Sequence, residues 1–323
     1  MVGRVVRVAV LDDYQGVALT SADWSVLDGR AEITVFGDHL PAEDALAARL
    51  APFDVLVAMR ERTPFPASLL RRLPALRLLV TTGKRNASID VAAAQAQGVT
   101  VCGTRGSAAA TPELTWGLLL ALTRGIPDEQ RSVRTGGWQR GVGPELAGST
   151  LGILGLGNIG GRIAGYARAF EMNVIAWSQH MTDADAAAHG ARRVQRDELF
   201  RAADFVTVHL KLSERTRGLV GAAELDLLGP AGYLINTSRG PIVDEDALVT
   251  ALRERRIAGA ALDVFDTEPL PADHPLRTLP NAVVTPHIGY VTRPTYATFY
   301  GEAVEDIDAW LRDAPVRVLT PEP

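Results

Sequence analysis

Arg239, Glu268 and His287 are the side chains of this 323-residue chain whose types and setting can together do chemistry. Each follows a short apolar run. Tyr233-Leu234-Ile235-Asn236 leads into Thr237-Ser238-Arg239-Gly240, Ala261-Leu262-Asp263 into Val264-Phe265-Asp266-Thr267-Glu268-Pro269, and Val283-Val284-Thr285 into Pro286-His287-Ile288-Gly289. Strand ends that open into loops are where open α/β sheets carry their ligands. Taken singly, Arg239 reads as a surface ion-pair partner, Glu268 as a solvated acid and His287 as a satisfied loop histidine. Together they meet the needs of hydride transfer to a 2-oxo acid. A guanidinium clamps a carboxylate and polarises the neighbouring carbonyl. A histidine moves a proton to or from the substrate oxygen. A carboxylate beside it orients the imidazole and favours its protonated form.

A second motif supplies the partner for that chemistry. Thr150-Leu151-Gly152-Ile153-Leu154 reads as a buried strand and runs directly into Gly155-Leu156-Gly157-Asn158-Ile159-Gly160, followed by helical spacing through Ile163, Ala164, Ala167 and Phe170. In that context Gly155 permits the tight turn, Gly157 lets the backbone approach a pyrophosphate, and Gly160 lets helix and strand pack closely. The phosphates then meet the free N–H groups and dipole of a helix N-terminus. An acid about 20 residues on would bind the ribose 2′-hydroxyl of NAD. Here the second strand, Asn173–Trp177, ends in Ser178-Gln179-His180. Nothing there repels a 2′-phosphate, so NAD, NADP or dual use is expected.

The elements that must position these residues alternate from end to end, as in strand–helix–strand units over a parallel sheet. Strands are predicted at Val5–Leu11, Val55–Val57, Arg77–Thr81 and Val99–Cys102. Thr111-Pro112-Glu113 is expected to open a helix to Arg124, with Thr111 as N-cap and Pro112 at the first helical position. Residues 135–143 read as a glycine-rich loop, and 294–311 as a final helix.

Composition bounds the class. With 47% hydrophobic and 22% charged residues the chain can build two cores,. A formal charge of −5 argues against nucleic-acid binding,. The single cysteine, Cys102, excludes a disulfide framework or a cysteine-based zinc site, and no metal is expected,. The N-terminal apolar run is too short for a signal peptide and no stretch is long enough to span a membrane, so a cytoplasmic protein is expected. Of 33 basic residues only Lys84 and Lys211 are lysine. Against that arginine-rich background Lys84 stands out.

Taken in order, the motifs at Thr81–Asp90, Gly155–Gly160, Asn236–Gly240, Asp263–Glu268 and Thr285–Gly289 resemble those of the D-isomer-specific 2-hydroxyacid dehydrogenases, over nearly the whole chain. The resemblance implies an α/β fold of two Rossmann-like, doubly wound parallel-sheet domains. The nucleotide-binding domain (103–292) would be inserted in a discontinuous substrate domain (1–102 plus 293–323), with a homodimer formed through the nucleotide domain. It implies Arg239 as the substrate-orienting arginine, His287 as acid/base and Glu268 as its partner, and Asp263 on the nicotinamide carboxamide. Formate dehydrogenases of the family carry glutamine at the place of Glu268, which disfavours that activity. Thr111, His209, Thr216, Thr237, Ser238 and Gly289 fall at positions near the cofactor, His209 toward the adenine side or, alternatively, in a packing or solvent-facing role. His39, His189 and His274 read as surface residues.

In that family the loop corresponding to Thr81–Asp90 binds the substrate carboxylate through backbone N–H groups. Lys84 and Arg85, after Gly83, stand where most relatives have a small or apolar residue and a glycine. Phosphite dehydrogenases of the family carry a lysine at the place of Lys84. Met59, Arg60 and Arg62, after the strand at Val55, are expected nearby. The arginines either serve the substrate or pair with acids such as Glu61. The expected substrate is a 2-oxo acid with a second anionic group, phosphonate, phosphate or carboxylate. Phosphite and glyoxylate or hydroxypyruvate are alternatives. From another class, an NAD(H)-sensing binding protein, like the corepressors that resemble this family, is the rival. The lack of a disordered extension favours the enzyme, and an end at Pro323 leaves no regulatory domain expected.

Overall fold

Two parallel sheets account for the alternation. The computed structural model describes residues 4–321, so residues 1–3 and 322–323 of the expected first domain lie outside the described residues. In chain order the first part comprises β1 (Val6–Val10), β2 (Ala31–Val35), α1 (Glu43–Leu50), β3 (Val55–Ala58), α2 (Ala67–Leu70), β4 (Leu78–Thr81), α3 (Val91–Ala96) and β5 (Thr100–Gly103). The second begins with α4 (Ala110–Thr123), α5 (Ile126–Arg134), β6 (Thr150–Leu154), α6 (Asn158–Ala169), β7 (Asn173–Trp177), α7 (Asp183–Ala188) and β8 (Arg192–Arg193). It continues through α8 (Arg196–Ala202), β9 (Phe205–Val208), α9 (Ala222–Leu228), β10 (Tyr233–Asn236), α10 (Glu245–Arg253), β11 (Gly259–Leu262) and β12 (Ala282–Val284). The chain then returns to the first part as α11 (Arg293–Leu311).

One compact unit comprises the residues up to Ser107 with those from Val291, and the other runs from Ala108 to Tyr290. The expected boundary fell at 102/103; the first unit extends further because residues 104–106 are tied into it. Thr104 N–H donates to Thr81 and Gly83 carbonyls, Arg105 pairs with buried Glu302, and Gly106 abuts Phe299. The first unit's sheet has the order β2-β1-β3-β4-β5 and the second's β12-β11-β10-β9-β6-β7-β8. The pairings between these strands are parallel, and an isolated antiparallel bridge joins Cys102 of β5 to Val318.

Strands β3, β4, β9 and β11 are buried at every residue. That is why they read as largely apolar runs, interrupted only by the buried Thr81 and Thr207, since a parallel sheet is covered on both faces,. Neighbours on a strand point to opposite faces. In the second unit Leu154, Val206 and Leu234 therefore pack with α8, α9 and α10, while Ile153, Phe205 and Ile235 pack with α4 and α6. Strand β2, an edge strand, was not marked by an apolar run because Glu32 and Thr34 alternate with Ile33 and Val35. Helix α4 starts ahead of the expected cap. Ala109 is its N-cap, without a side-chain bond, and Thr111 lies within the helix with its hydroxyl donated elsewhere. Among the described residues no helix is long and apolar enough to cross a membrane.

Helix α11 is capped by the Thr292 side chain and buries Tyr296, Phe299, Tyr300, Ala303 and Ile307. The same side carries Asp306, fully buried, whose Oδ1 accepts Arg317 Nε at 3.0 Å. Its Oδ2 has no partner among the described residues. Burial, with Glu302 and Glu305 nearby, pushes this carboxyl up to about 7 in spite of Arg317. The unfolded chain releases that proton near 3.8. Stability from the held proton is thus complete below pH 4 and lost as pH rises toward 7, by at most about 1.4 kcal/mol per pH unit. Asp306→Asn should flatten the fall in melting temperature between pH 5 and 7.5. Parallel curves for variant and wild type would show that the folded carboxyl does not hold the proton.

Candidate active site

The register of the second sheet brings the three candidate loops to one edge. Asn236 is level with Leu262, and Leu262 with Val284, so β10, β11 and β12 release Arg239, Glu268 and His287 side by side. His287 Nδ1 lies 2.6 Å from Glu268 Oε2, and Glu268 Oε1 accepts the Phe265 N–H at 2.9 Å. The carboxylate is thus fixed by backbone before it fixes the imidazole. Tyr290 stands edge-on to the His287 ring, with centroids 5.6 Å apart.

His287 has a φ of +52°, an arrangement costing a non-glycine residue of order 1–3 kcal/mol. Asp263 holds the chain there. Its buried carboxylate accepts Thr285 Oγ1 at 2.6 Å and Ile288 N–H at 2.8 Å on Oδ1, and Gly289 N–H at 2.7 Å on Oδ2. Burial pushes the Asp263 carboxyl above its ordinary value, against the lowering by these donors and by His287. Within the chain the Asp263 carboxylate thus holds the 285–289 loop.

Helix α4 ties the loops to one another. Thr111 Oγ1 donates to the Gly289 carbonyl at 3.1 Å, and Thr115 Oγ1 lies 2.7 Å from Thr237 Oγ1. In the Arg239 loop, Asn236 donates to the Arg239 carbonyl and accepts the Ser238 N–H, while Ser238 Oγ donates to the Val208 carbonyl. A Cβ on Gly240 would lie 2.1 Å from the Phe265 carbonyl carbon. Only glycine lets the Arg239 loop and the Glu268 loop meet backbone to backbone. Thr115 was not singled out from sequence, and Asn236 and Gly240 entered only as the bounds of a motif, without roles of their own; the signal available was a polar residue closing an apolar strand and a glycine beside a charged one.

The Gly155–Gly160 turn fits a dinucleotide. A Cβ on Gly160 would lie 2.1 Å from the Gly155 carbonyl oxygen, whereas one on Gly157 would meet nothing within 4 Å. The first glycine is needed for the protein's own packing; the second guards open space. Helix α6 has no side-chain cap, and its first hydrogen bond runs from Gly161 N–H to the Gly157 carbonyl. The N–H groups of Asn158, Ile159 and Gly160 precede it, directed at an anion position. Strand order reverses here, with β7 on one side of β6 and β9 on the other, the usual place for such a ligand. Ser178 Oγ accepts the Leu156 N–H at 3.3 Å, and Gln179 and His180 are exposed. His209 Nε2 lies 2.9 Å from Thr207 Oγ1. Burial pushes its imidazole down to about 3, which keeps it neutral. Thr216 braces its own loop, accepting Ser213 N–H and donating to the Lys211 carbonyl.

In the first unit the expected substrate residues cluster at the ends of β3 and β4. Arg60 Nη1 donates to the Thr82 carbonyl at 3.1 Å, its Nη2 lies 3.4 Å from Glu61, and the guanidinium covers the Gly83 backbone. Arg62 donates to the Asp12 carbonyl at 2.6 Å and lies over the Tyr14 ring. Met59 is buried beneath Thr82. Gly83 N–H donates to Thr104 Oγ1. Lys84 and Arg85 are exposed. Two histidines expected at the surface are instead engaged: His39 Nδ1 meets buried Asp12 at 3.1 Å, and His274 Nε2 meets Glu245 at 3.1 Å. His189 is exposed.

A model of the D-isomer specific 2-hydroxyacid dehydrogenase NAD binding domain matches residues 116–289. A glyoxylate reductase from Aeropyrum pernix is 40% identical over 252 residues, 75% of this chain and 75% of that protein. A D-3-phosphoglycerate dehydrogenase from Synechocystis sp. is 36% identical over 81% of this chain. The match spans only 48% of that longer protein. The crystal structure of a phosphoglycerate oxidoreductase from Vibrio cholerae matches with a TM-score of 0.91 at 38% identity, over 96% of this chain and 100% of that one. The chain belongs to the D-isomer specific 2-hydroxyacid dehydrogenase family, oxidoreductases that act on the CH–OH group of 2-hydroxy acids with a nicotinamide dinucleotide.

Gly157→Ala tests the cradle. The new methyl group meets no protein atom, so the melting temperature of the cofactor-free protein should hold within about 2 °C. The Kd for NADH, by fluorescence titration, should rise at least about tenfold, or 1.4 kcal/mol. An unchanged Kd would place the phosphates elsewhere.

Proposed function

We propose that this member of the D-isomer specific 2-hydroxyacid dehydrogenase family interconverts a 2-oxo acid bearing a second anionic group and its D-2-hydroxy acid, with His287 as acid/base. The observation that carries the reading is the 2.6 Å pairing of His287 Nδ1 with Glu268. With Nδ1 held by a carboxylate that a backbone N–H already fixes, proton exchange falls to Nε2. When bound, the reduced cofactor supplies hydride to the carbonyl carbon. Arg239 clamps the substrate carboxylate and draws electron density from the adjacent carbonyl. His287 Nε2–H gives its proton to the carbonyl oxygen, and the imidazolium form before that transfer is stabilised by Glu268. In the oxidative direction Nε2 takes the hydroxyl proton back.

The Gly155–Gly160 turn and the N-terminus of α6 would hold the pyrophosphate. The uncharged Ser178 at the end of β7 supports use of NADPH as well as NADH. Thr111, Thr237, Ser238 and Asp263 would act on the cofactor side by shaping the loops around it, since their polar groups bond within the chain.

For the second anion the support narrows to Lys84. Arg60 and Arg62 are engaged by Glu61, Thr82 and Asp12, whereas Lys84 is exposed and makes no hydrogen bond or ion pair among the described residues. The names of the relatives run from glyoxylate, with one anionic group, to 3-phosphoglycerate, with two. Ile126, Val133, Trp138 and Val142 are exposed on α5 and the loop after it. Their exposure supports a homodimer through the second unit,.

NADH and NADPH oxidation with glyoxylate, hydroxypyruvate, oxaloacetate, 3-phosphohydroxypyruvate and phosphonopyruvate tests the substrate class, with phosphite and NAD⁺ run in reverse. Lys84→Met should raise KM for the preferred dianion about tenfold or more and that for glyoxylate far less, a differential of about 1.4 kcal/mol. Equal effects would end the anion reading. Binding of NADH without any turnover would favour a sensing role instead. Light scattering should give a dimer mass, reduced toward the monomer by Trp138→Asp.

A further inference from the structure

Behind the catalytic pair stands a second histidine–carboxylate pair, and we infer that His274 and Glu245 position Glu268 by clamping both ends of the loop that carries it. Glu245, the first residue of α10, accepts the Asp266 N–H on Oε2 at 3.2 Å. Its other oxygen, Oε1, lies 3.1 Å from His274 Nε2. Asp266 is where the loop leaves Phe265, and His274 is where it enters the turn at Pro275–Arg277. One carboxylate therefore spans entry and exit, and Glu268 lies between them.

The tautomer of His274 is set by its other nitrogen. Nδ1 accepts the Leu276 N–H at 3.3 Å, so Nε2 carries the hydrogen and donates to Glu245. Both side chains are about one-fifth exposed (18% and 20%), enough shielding for the bond to hold a geometry. Across the loop, Arg277 donates to the carbonyls of Leu270 and Pro271, so the segment is closed a second time on the exit side. At the entry, the Phe265 N–H that fixes Glu268 Oε1 immediately precedes the Asp266 N–H that Glu245 fixes. A shift at Asp266 moves the donor that aims Glu268 at His287. In sequence His274 reads as a solvated loop histidine, because Glu245 lies 29 positions away and only the packing of α10 against the loop joins them.

The inference rests on the reading that Glu268 orients His287, and the alternative is that His274 merely caps the turn through Nδ1. Two substitutions separate the roles. His274→Asn keeps an acceptor at the Nδ1 place for the Leu276 N–H and cannot reach Glu245. His274→Gln puts an N–H donor at the Nε2 place and loses the cap. With the full-length protein, NADH and glyoxylate, His274→Asn should lower kcat about tenfold, since misplacement of a catalytic group costs up to about a hundredfold. KM for both ligands should stay within about twofold, and His274→Gln should restore most of kcat. In a Glu268→Gln background, His274→Asn should cause no further loss, as expected for groups acting through one another. Wild-type kcat in His274→Asn, a loss in His274→Gln alone, or losses that multiply in the double variant would each overturn the positioning role. Wild-type kcat in Glu268→Gln alone would overturn the acid–base reading itself, and the inference with it.

Discussion

A buried carboxylate that must be satisfied organises the loops at the C-terminal ends of the second sheet's strands. Asp263 sits fully buried at the end of β11, where an unpaired charge would be costly. Its oxygens take the Thr285 hydroxyl and the N–H groups of Ile288 and Gly289. Those bonds hold His287 in a left-handed backbone conformation that an unrestrained histidine would leave. The bond from Thr111 to the Gly289 carbonyl carries the constraint into α4, and the Thr115–Thr237 contact passes it to the Arg239 loop. One desolvated group thereby fixes the relation of three loops that share no sequence neighbourhood.

The glycines divide into those the protein needs for itself and those that keep space for a ligand. Gly240 admits the Phe265 backbone and Gly160 admits the Gly155 carbonyl. Either contact closes at van der Waals distance only without a Cβ, and each joins two segments of the same unit. Gly157 faces open space at the uncapped start of α6. Its lack of a side chain has no use within the chain and an obvious one for a phosphate. In the first unit Gly83 plays the internal role, lying under the Arg60 guanidinium. That arginine is consequently a structural part of the loop.

Much of the site was legible without coordinates because its signals are local. Strand-then-glycine at Leu154–Gly160, and polar residues closing the apolar runs before Arg239, Glu268 and His287, depend on neighbours a few positions apart. Buried parallel strands announce themselves for the same reason: both faces favour apolar side chains, so β3, β4, β9 and β11 are largely apolar, with only Thr81 and Thr207 polar. The signal fails at β2, where an edge position admits Glu32 and Thr34. It fails also at the start of α4, where Thr111 has a better partner in Gly289 than in its own helix.

The sequence by itself determined the fold class and the glycine turn after β6, and it marked Arg239, Glu268 and His287 as the candidate reactive set. Each of these is written in residue type and short-range spacing. Tertiary structure alone decided which charged groups are engaged. Arg60 is tied to Thr82 and Glu61, Arg62 to Asp12, His39 to Asp12 and His274 to Glu245, while Lys84 is left exposed. Hydrogen bonding and desolvation depend on atoms within a few ångströms. Glu61 adjoins Arg60 and was open as its partner from the sequence; the other partners come from elements distant in the chain, so no spacing rule can anticipate them.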